Sequence, residues 1–249
     1  MKIHRHLPYL NAQRGFSLVE MAVVLVILGF VIAALLLPLQ AQRNQVFQTE
    51  TKNQLEIARR ALLGFAQSRG RLPCPATATG GNGMEDPTPA TGACTSAVGF
   101  LPAATLGIQP TDEDGFAIDG WNNRLRYAVT QVETAGGAAT PDFTTANEMN
   151  NVTISALAPN LRVCNSASNC TASDYLINNA VAVIYSSGPN GSVGGGTDEA
   201  NQGVSVLPTT FYSRTPTAAG STDGEFDDLV VWISPYVLYN AMIEAGQLH

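Results

Sequence analysis

A chain of 249 residues has room for one domain with extensions or for two small domains. With 45% hydrophobic and only 13% charged residues it is too apolar for an intrinsically disordered chain, and its abundant Gly, Thr, Asn and Ala suit the short strands and polar loops of an exported protein. The formal net charge is −7, and beyond Arg71 the only basic residues are Arg124, Arg126, Arg162 and Arg214. That region offers no cationic groove, so no nucleic-acid partner is expected. Arg59, Arg60, Arg69 and Arg71 read as solvated side chains near a helix end.

Residues 1–15 are polar and basic, with Lys2, Arg5 and Arg14 and no acid. From Phe16 to Leu39 the chain turns almost wholly apolar (FSLVEMAVVLVILGFVIAALLLPL), and Met21–Leu39 carries no charge. That length suits a helix crossing a bilayer, and the basic leader predicts a cytoplasmic N-terminus with everything after Leu39 outside. A secretory signal peptide would have a shorter apolar core followed by a small-x-small cleavage site. Here the run is longer and carries an acid, Glu20, near its start. An ionisable group beside a spanning segment is costly and points to a specific partner.

Arg14-Gly15-Phe16-Ser17-Leu18-Val19-Glu20-Met21 resembles the prepilin signature of type IV pilins and type II secretion pseudopilins. The resemblance implies a leader of residues 1–15, cut after Gly15 by a prepilin peptidase, with N-methylation of the new terminal residue Phe16. It also implies that Glu20 is the assembly glutamate and that Pro38 lies near a helix-loosening proline. In a filament core of packed apolar helices a lone Glu20 carboxylate would be costly. Pairing with the Phe16 amine of an adjacent subunit would offset that desolvation and fix the stagger between subunits. The implied partners are the prepilin peptidase, other pilin or pseudopilin subunits and the inner-membrane assembly platform. The implied location is the bacterial inner membrane, in a single pass with a periplasmic head, and then the pilus or pseudopilus.

Residues 41–69 are rich in Gln, Arg, Glu and Ala, with Val46, Leu55, Ala58, Leu62 and Phe65 spaced for one helical face. Gly70 and Pro73 would stop the helix, so residues 16–70 predict a single helix of roughly 50 residues, about 80 Å long. Residues 71–249 then form the head. Pro75–Asp114 reads as loop, and strands are predicted at Leu125–Thr130, Val152–Leu157, Leu161–Cys164, Val181–Ser186 and Leu229–Ser234. The expected fold is α+β, with a small antiparallel sheet packed on the helix. Ser234-Pro235 reads as an N-cap followed by proline at the first position of a helix Pro235–Ala245, ended by Gly246. Cys74, Cys94, Cys164 and Cys170 are even in number and contain no CxxC pair, which favours disulfides over zinc. Of the three possible connectivities, Cys74–Cys94 with Cys164–Cys170 closes short loops and requires an oxidising compartment.

Two later stretches extend the resemblance. Asp119-Gly120-Trp121-Asn122-Asn123-Arg124-Leu125-Arg126-Tyr127 is similar to the D-x-W-G-N-x-x-x-Y segment of major pseudopilins. Tyr185-Ser186-Ser187-Gly188-Pro189-Asn190-Gly191 is similar to their S-x-G-x-x-G loop, and Asp227-Asp228-Leu229 to the acidic turn after it. Some pseudopilins bind calcium there. Here the intervening segment is much longer, and Asn190 replaces one acid. Among the nearby acids Asp198, Glu199, Asp223, Glu225, Asp227 and Asp228, the expected calcium ligands are Asp198, Asp227 and Asp228. Calcium is the one cofactor for which the sequence offers candidate ligands; the alternative is that these are solvated loop acids on an acidic exported protein.

The histidines are His4, His6 and His249, and the first two belong to the leader. No GxSxG, Walker A or HExxH is present, so an enzyme is not expected. Two function classes remain: a structural filament subunit, or a single-pass anchored periplasmic adhesin or binding module that does not polymerise. Gly15-Phe16 with Glu20 separates them, because a simple anchor has no use for that combination. The head is larger than that of a major pseudopilin, which favours a minor subunit.

Overall fold

The computed structural model describes residues 15–78, 82–87, 92–134, 140–165, 170–191, 196–203 and 209–249, with backbone alone over residues 35–41. The expected leader, apart from Gly15, lies outside the described residues. One helix, α1, runs from Leu18 to Arg69, 52 residues without a break. It stops where Gly70 takes φ +68°, a left-handed conformation that glycine adopts without a Cβ penalty. The chain divides into two units, residues 1–45 and 46–249. In the first, the described side chains of α1 are exposed on every face. Among the described residues, no helix is long and apolar enough to cross a membrane. The second part of the run expected to span, residues 35–39, lies outside the described side chains.

The second unit is built around the remainder of α1. Thr51, Leu55, Ala58, Leu62 and Ala66 form its buried stripe, spaced three or four residues apart. Each large apolar side chain so buried contributes about 1.5–3 kcal/mol. Val46, expected on this stripe, is 61% exposed. Phe65 is half-buried, with the Arg71 guanidinium 5.1 Å above its ring.

Strands β1 (Val98–Phe100), β2 (Arg126–Val129), β5 (Ala182–Ser186) and β7 (Leu229–Ile233) form an antiparallel sheet in the order β1-β2-β5-β7. A second sheet, β4-β3-β6, joins β4 (Tyr175–Ala180), β3 (Leu161–Cys164) and β6 (Thr210–Tyr212). In it β3 and β6 run parallel, a departure from the purely antiparallel expectation. Val181 alone separates β4 from β5, so one nearly continuous segment passes from sheet to sheet.

The period-two alternation of strands sorts the side chains into layers. Ala182 and Ile184 of β5, Tyr127 and Val129 of β2 and Ile233 of β7 join the cluster containing Leu55, Ala58 and Leu62 of α1. Val183 and Tyr185 of β5 and Ala128 of β2 point the other way, to Val163 of β3 and Phe211 of β6. The central sheet is thus covered on both faces, which is why β5 reads as an uninterrupted apolar run.

Short helices α2 (Ala103–Leu106), α3 (Glu148–Asn151) and α4 (Thr197–Ala200) lie in the connections, and α5 spans Pro235–Glu244. At the start of α5 the Ser234 hydroxyl accepts from the Val237 amide, with Pro235 at the first position, as the sequence predicts. The strand predicted at Val152–Leu157 is instead turn, following α3. The supposed loop Pro75–Asp114 contains β1 and α2. Cysteines pair as Cys74–Cys94 and Cys164–Cys170, with Cα separations of 5.4 and 5.8 Å.

The reading of Arg71 as a solvated side chain is overturned. Its guanidinium is buried and donates twice to Glu85, at 2.7 and 2.8 Å, while the Cys74 amide donates to the same carboxylate at 3.2 Å. The pair ties the segment leaving α1 to the next loop, beside the Cys74–Cys94 bridge. Removing one member leaves a buried charge uncompensated, whereas removing both does not. Arg71→Leu is expected to lower the unfolding free energy by about 3–5 kcal/mol, and Arg71→Leu with Glu85→Leu by clearly less. Chemical denaturation of the four chains of this cycle measures it. Equal losses in single and double variants would refute the coupling.

Candidate functional site

Residues 15–17 are non-helical, and the helix begins immediately after them. Phe16 is 79% exposed. Among the described residues, a Cβ placed on Gly15 would meet nothing within 4 Å.

Ser17 is the N-cap of α1. Its hydroxyl accepts from the Glu20 amide at 3.2 Å, and the Glu20 carboxylate accepts from the Ser17 amide at 3.4 Å. This reciprocal pair is a capping box, which satisfies two of the amides that a helix start leaves without partners. The S-x-x-E spacing of this box is present in the sequence, but it lies within the Arg14–Met21 motif, whose resemblance carries no role for Ser17. Glu20 also places a negative charge in the first helical turn, where the helix dipole favours it.

A second site lies in the C-terminal half. Glu199, Asp227 and Asp228 each offer a carboxylate oxygen, all within 4.8 Å of one another. Glu199 comes from the short helix α4, and the two aspartates from the segment entering β7. The Glu199 carboxylate accepts from the Asp227 amide at 2.8 Å and from the Asn190 amide group at 3.1 Å. Glycine at 188 permits the approach of the two loops: a Cβ there would lie 2.4 Å from Asp227 Oδ1.

The expected ligands are only partly brought together. Asp227 and Asp228 meet, but Asp198 is engaged by Arg214 at 2.6 Å, a buried ion pair with the guanidinium also 4.7 Å from the Phe226 ring centroid. In the turn of α4 adjacent residues face different ways, so Glu199 occupies the place expected for Asp198. Asp223 contributes a backbone carbonyl to Arg214.

The electrostatics of the cluster are unfavourable as it stands. Burial pushes the Asp227 carboxyl up to about 7, helped by the charges of Glu199 and Glu225. Burial likewise raises Asp228 to about 7, with Glu199 and Asp227 adding to the shift and Gln202 opposing it. Asp227 Oδ1 and Asn190 Oδ1 are both buried without a hydrogen-bond donor. Two such orphan oxygens beside clustered carboxylates form a donor set that suits a hard cation.

No curated protein and no solved structure matches the chain. Residues 10–36 match the family model of the prokaryotic N-terminal methylation motif. The chain therefore carries, across Gly15, Phe16 and Glu20, the signature of type IV pilins and pseudopilins.

Proposed function

We propose that the chain is a structural subunit, a minor pilin or pseudopilin, cleaved after Gly15 by a prepilin peptidase and N-methylated on Phe16 before assembly. The observation that carries this reading is the methylation motif at residues 10–36, with its cleavage point on the non-helical residues just ahead of α1. Under this proposal glycine at position 15 serves the peptidase, which must place a small residue at the cleaved bond. In this reading the apolar start of α1 is anchored in the inner membrane and then packs into a filament core. Residues 46–249 form the periplasmic head, where both cysteine pairs could oxidise. Partners are the peptidase, neighbouring subunits and the assembly platform.

Glu20 supplies the register. Its carboxylate is held by one backbone amide at 3.4 Å, a long and readily exchanged bond. An adjacent subunit's Phe16 ammonium is a charge-assisted donor and would replace it. The reading predicts that Gly15→Leu retains the leader, whereas Glu20→Ala is cleaved but depleted from filaments. The intact mass of the membrane-extracted chain and the subunit content of sheared filaments report the two effects. A normally processed Gly15→Leu chain would remove the peptidase from this account, and wild-type filament content of Glu20→Ala would remove the pairing.

Within the head we assign Glu199, Asp227 and Asp228 to a hard divalent cation such as calcium, with the Asn190 amide oxygen beside them. A bound cation would add positive charge between these carboxylates and tie α4 to the segment before β7. Because the aspartates titrate higher in the folded than in the unfolded chain, the native state binds more protons across their window. Stability of the metal-free protein is therefore expected to fall as pH rises from about 4 to about 7. At pH 7.5, millimolar calcium should raise the melting midpoint by about 2–8 °C. Asp228→Asn should abolish most of that gain. Melting curves of the full chain in detergent, with chelator or calcium, measure both effects. A calcium-insensitive midpoint together with a flat pH profile would discard the site.

A further inference from the structure

We infer that Ser17 is a positioning residue for leader removal: its capping box with Glu20 ends the helix two residues beyond the scissile bond and holds Gly15-Phe16 in a cleavable, non-helical form. This rests on the reading that a peptidase cuts after Gly15. Peptidases need the backbone around the scissile bond out of its helical hydrogen bonds, because those bonds occupy the groups that must pair with the enzyme. Here the apolar sequence following the bond is strongly helix-forming, and 52 residues propagate from it. A long helix adds residues at its end at little cost, so the position of that end needs a specific stop signal. Ser17 provides it on both sides of the boundary. The hydroxyl takes the Glu20 amide, and the Ser17 amide is turned to the Glu20 carboxylate. The first backbone bond of α1 then runs from Met21 to the Ser17 carbonyl at 3.1 Å, and residues 15–17 remain outside the helix.

Without the cap, the helix end drifts. Extension towards Gly15 draws the scissile bond into the helix, and fraying beyond Leu18 removes the fixed spacing between the bond and the helix. Either reduces the population of the cleavable conformer. The same box accords with the expected cleavage of Glu20→Ala: the Ser17 hydroxyl and the residue-20 amide survive that substitution, so half the box remains.

The test is the initial cleavage rate of the full chain in inner-membrane vesicles containing a prepilin peptidase, for wild type, Ser17→Ala, Ser17→Thr and Ser17→Asp. Loss of a side-chain N-cap shifts a helix-end equilibrium by roughly 3- to 30-fold, so Ser17→Ala should be slower by that factor. Thr and Asp share an N-capping oxygen but differ in shape and charge, and both should restore cleavage to within about 3-fold of wild type. Equal rates for Ser17→Ala and wild type would overturn the inference and leave the cleavage reading intact. Rescue by Thr but not Asp would overturn it in favour of direct enzyme recognition of the hydroxyl. Failure to cleave the wild-type chain would remove the cleavage reading and this inference together.

Discussion

The arrangement of the head depends on the close approach of one turn to α1. Gly120 lies against the helix backbone so tightly that a Cβ on it would sit 2.5 Å from the Phe47 carbonyl oxygen. Its amide donates to the Thr51 hydroxyl at 3.0 Å, and that hydroxyl donates to the same Phe47 carbonyl at 2.8 Å. Asp119, the preceding residue, accepts from the amides of Trp121 and Asn123 and from the Ser186 hydroxyl at the end of β5. Asn123 then donates to the Gly188 carbonyl at 2.8 Å. A line of specific contacts therefore runs from α1 through residues 119–123 to the loop after β5. That loop is packed against Asp227, so the placement of the acidic cluster traces back to α1 through these contacts.

This dependence explains what the sequence does and does not reveal. The boundaries of α1 and α5 were readable because their determinants are local: Gly70 at one end, Ser234 with Pro235 at the other. The motif at Gly15, Phe16 and Glu20 is local as well, a run of adjacent residues. β1, β4 and β6 were not readable. The first and last have three residues each, and β4 (YLINNA) carries Asn178 and Asn179 where an apolar alternation would be expected. Their pairing comes from the sheets they join rather than from their own pattern. Val152–Leu157 failed in the opposite direction, because its β-branched residues signal a strand that no neighbour pairs with among the described residues.

Arg71 and Asp198 show the same limit for charged side chains. From sequence, an arginine following a helix reads as solvated, and an aspartate in a glycine-rich loop reads as free to bind metal. Each instead has a partner distant in the chain, Glu85 and Arg214 respectively, and each pair is nearly excluded from solvent. The choice between Asp198 and Glu199 turns on a single position in one helical turn. No loop pattern carries that information, since it depends on where Arg214 arrives from β6.

The carboxylates of the head fall into two groups according to the donors they receive. Glu85 has a guanidinium and an amide; Asp119 has two amides and a hydroxyl; Asp198 has a guanidinium. Each of these fastens one loop to another, and each is matched by donors the chain itself provides. Asp227 and Asp228 differ from these three: both are raised to about 7 by burial among other acids, and one Asp227 oxygen receives no donor. Nitrogen donors from Asn190 and Gln202 reach the cluster, yet Asn190 also presents its buried amide oxygen without a donor while its amide nitrogen serves Glu199. Such an oxygen-rich pocket is costly without positive charge and becomes favourable when a cation enters. In the proposed reading the packing of these loops is the protein's share of an ion site, held in place by the turn that Gly120 pins to the helix.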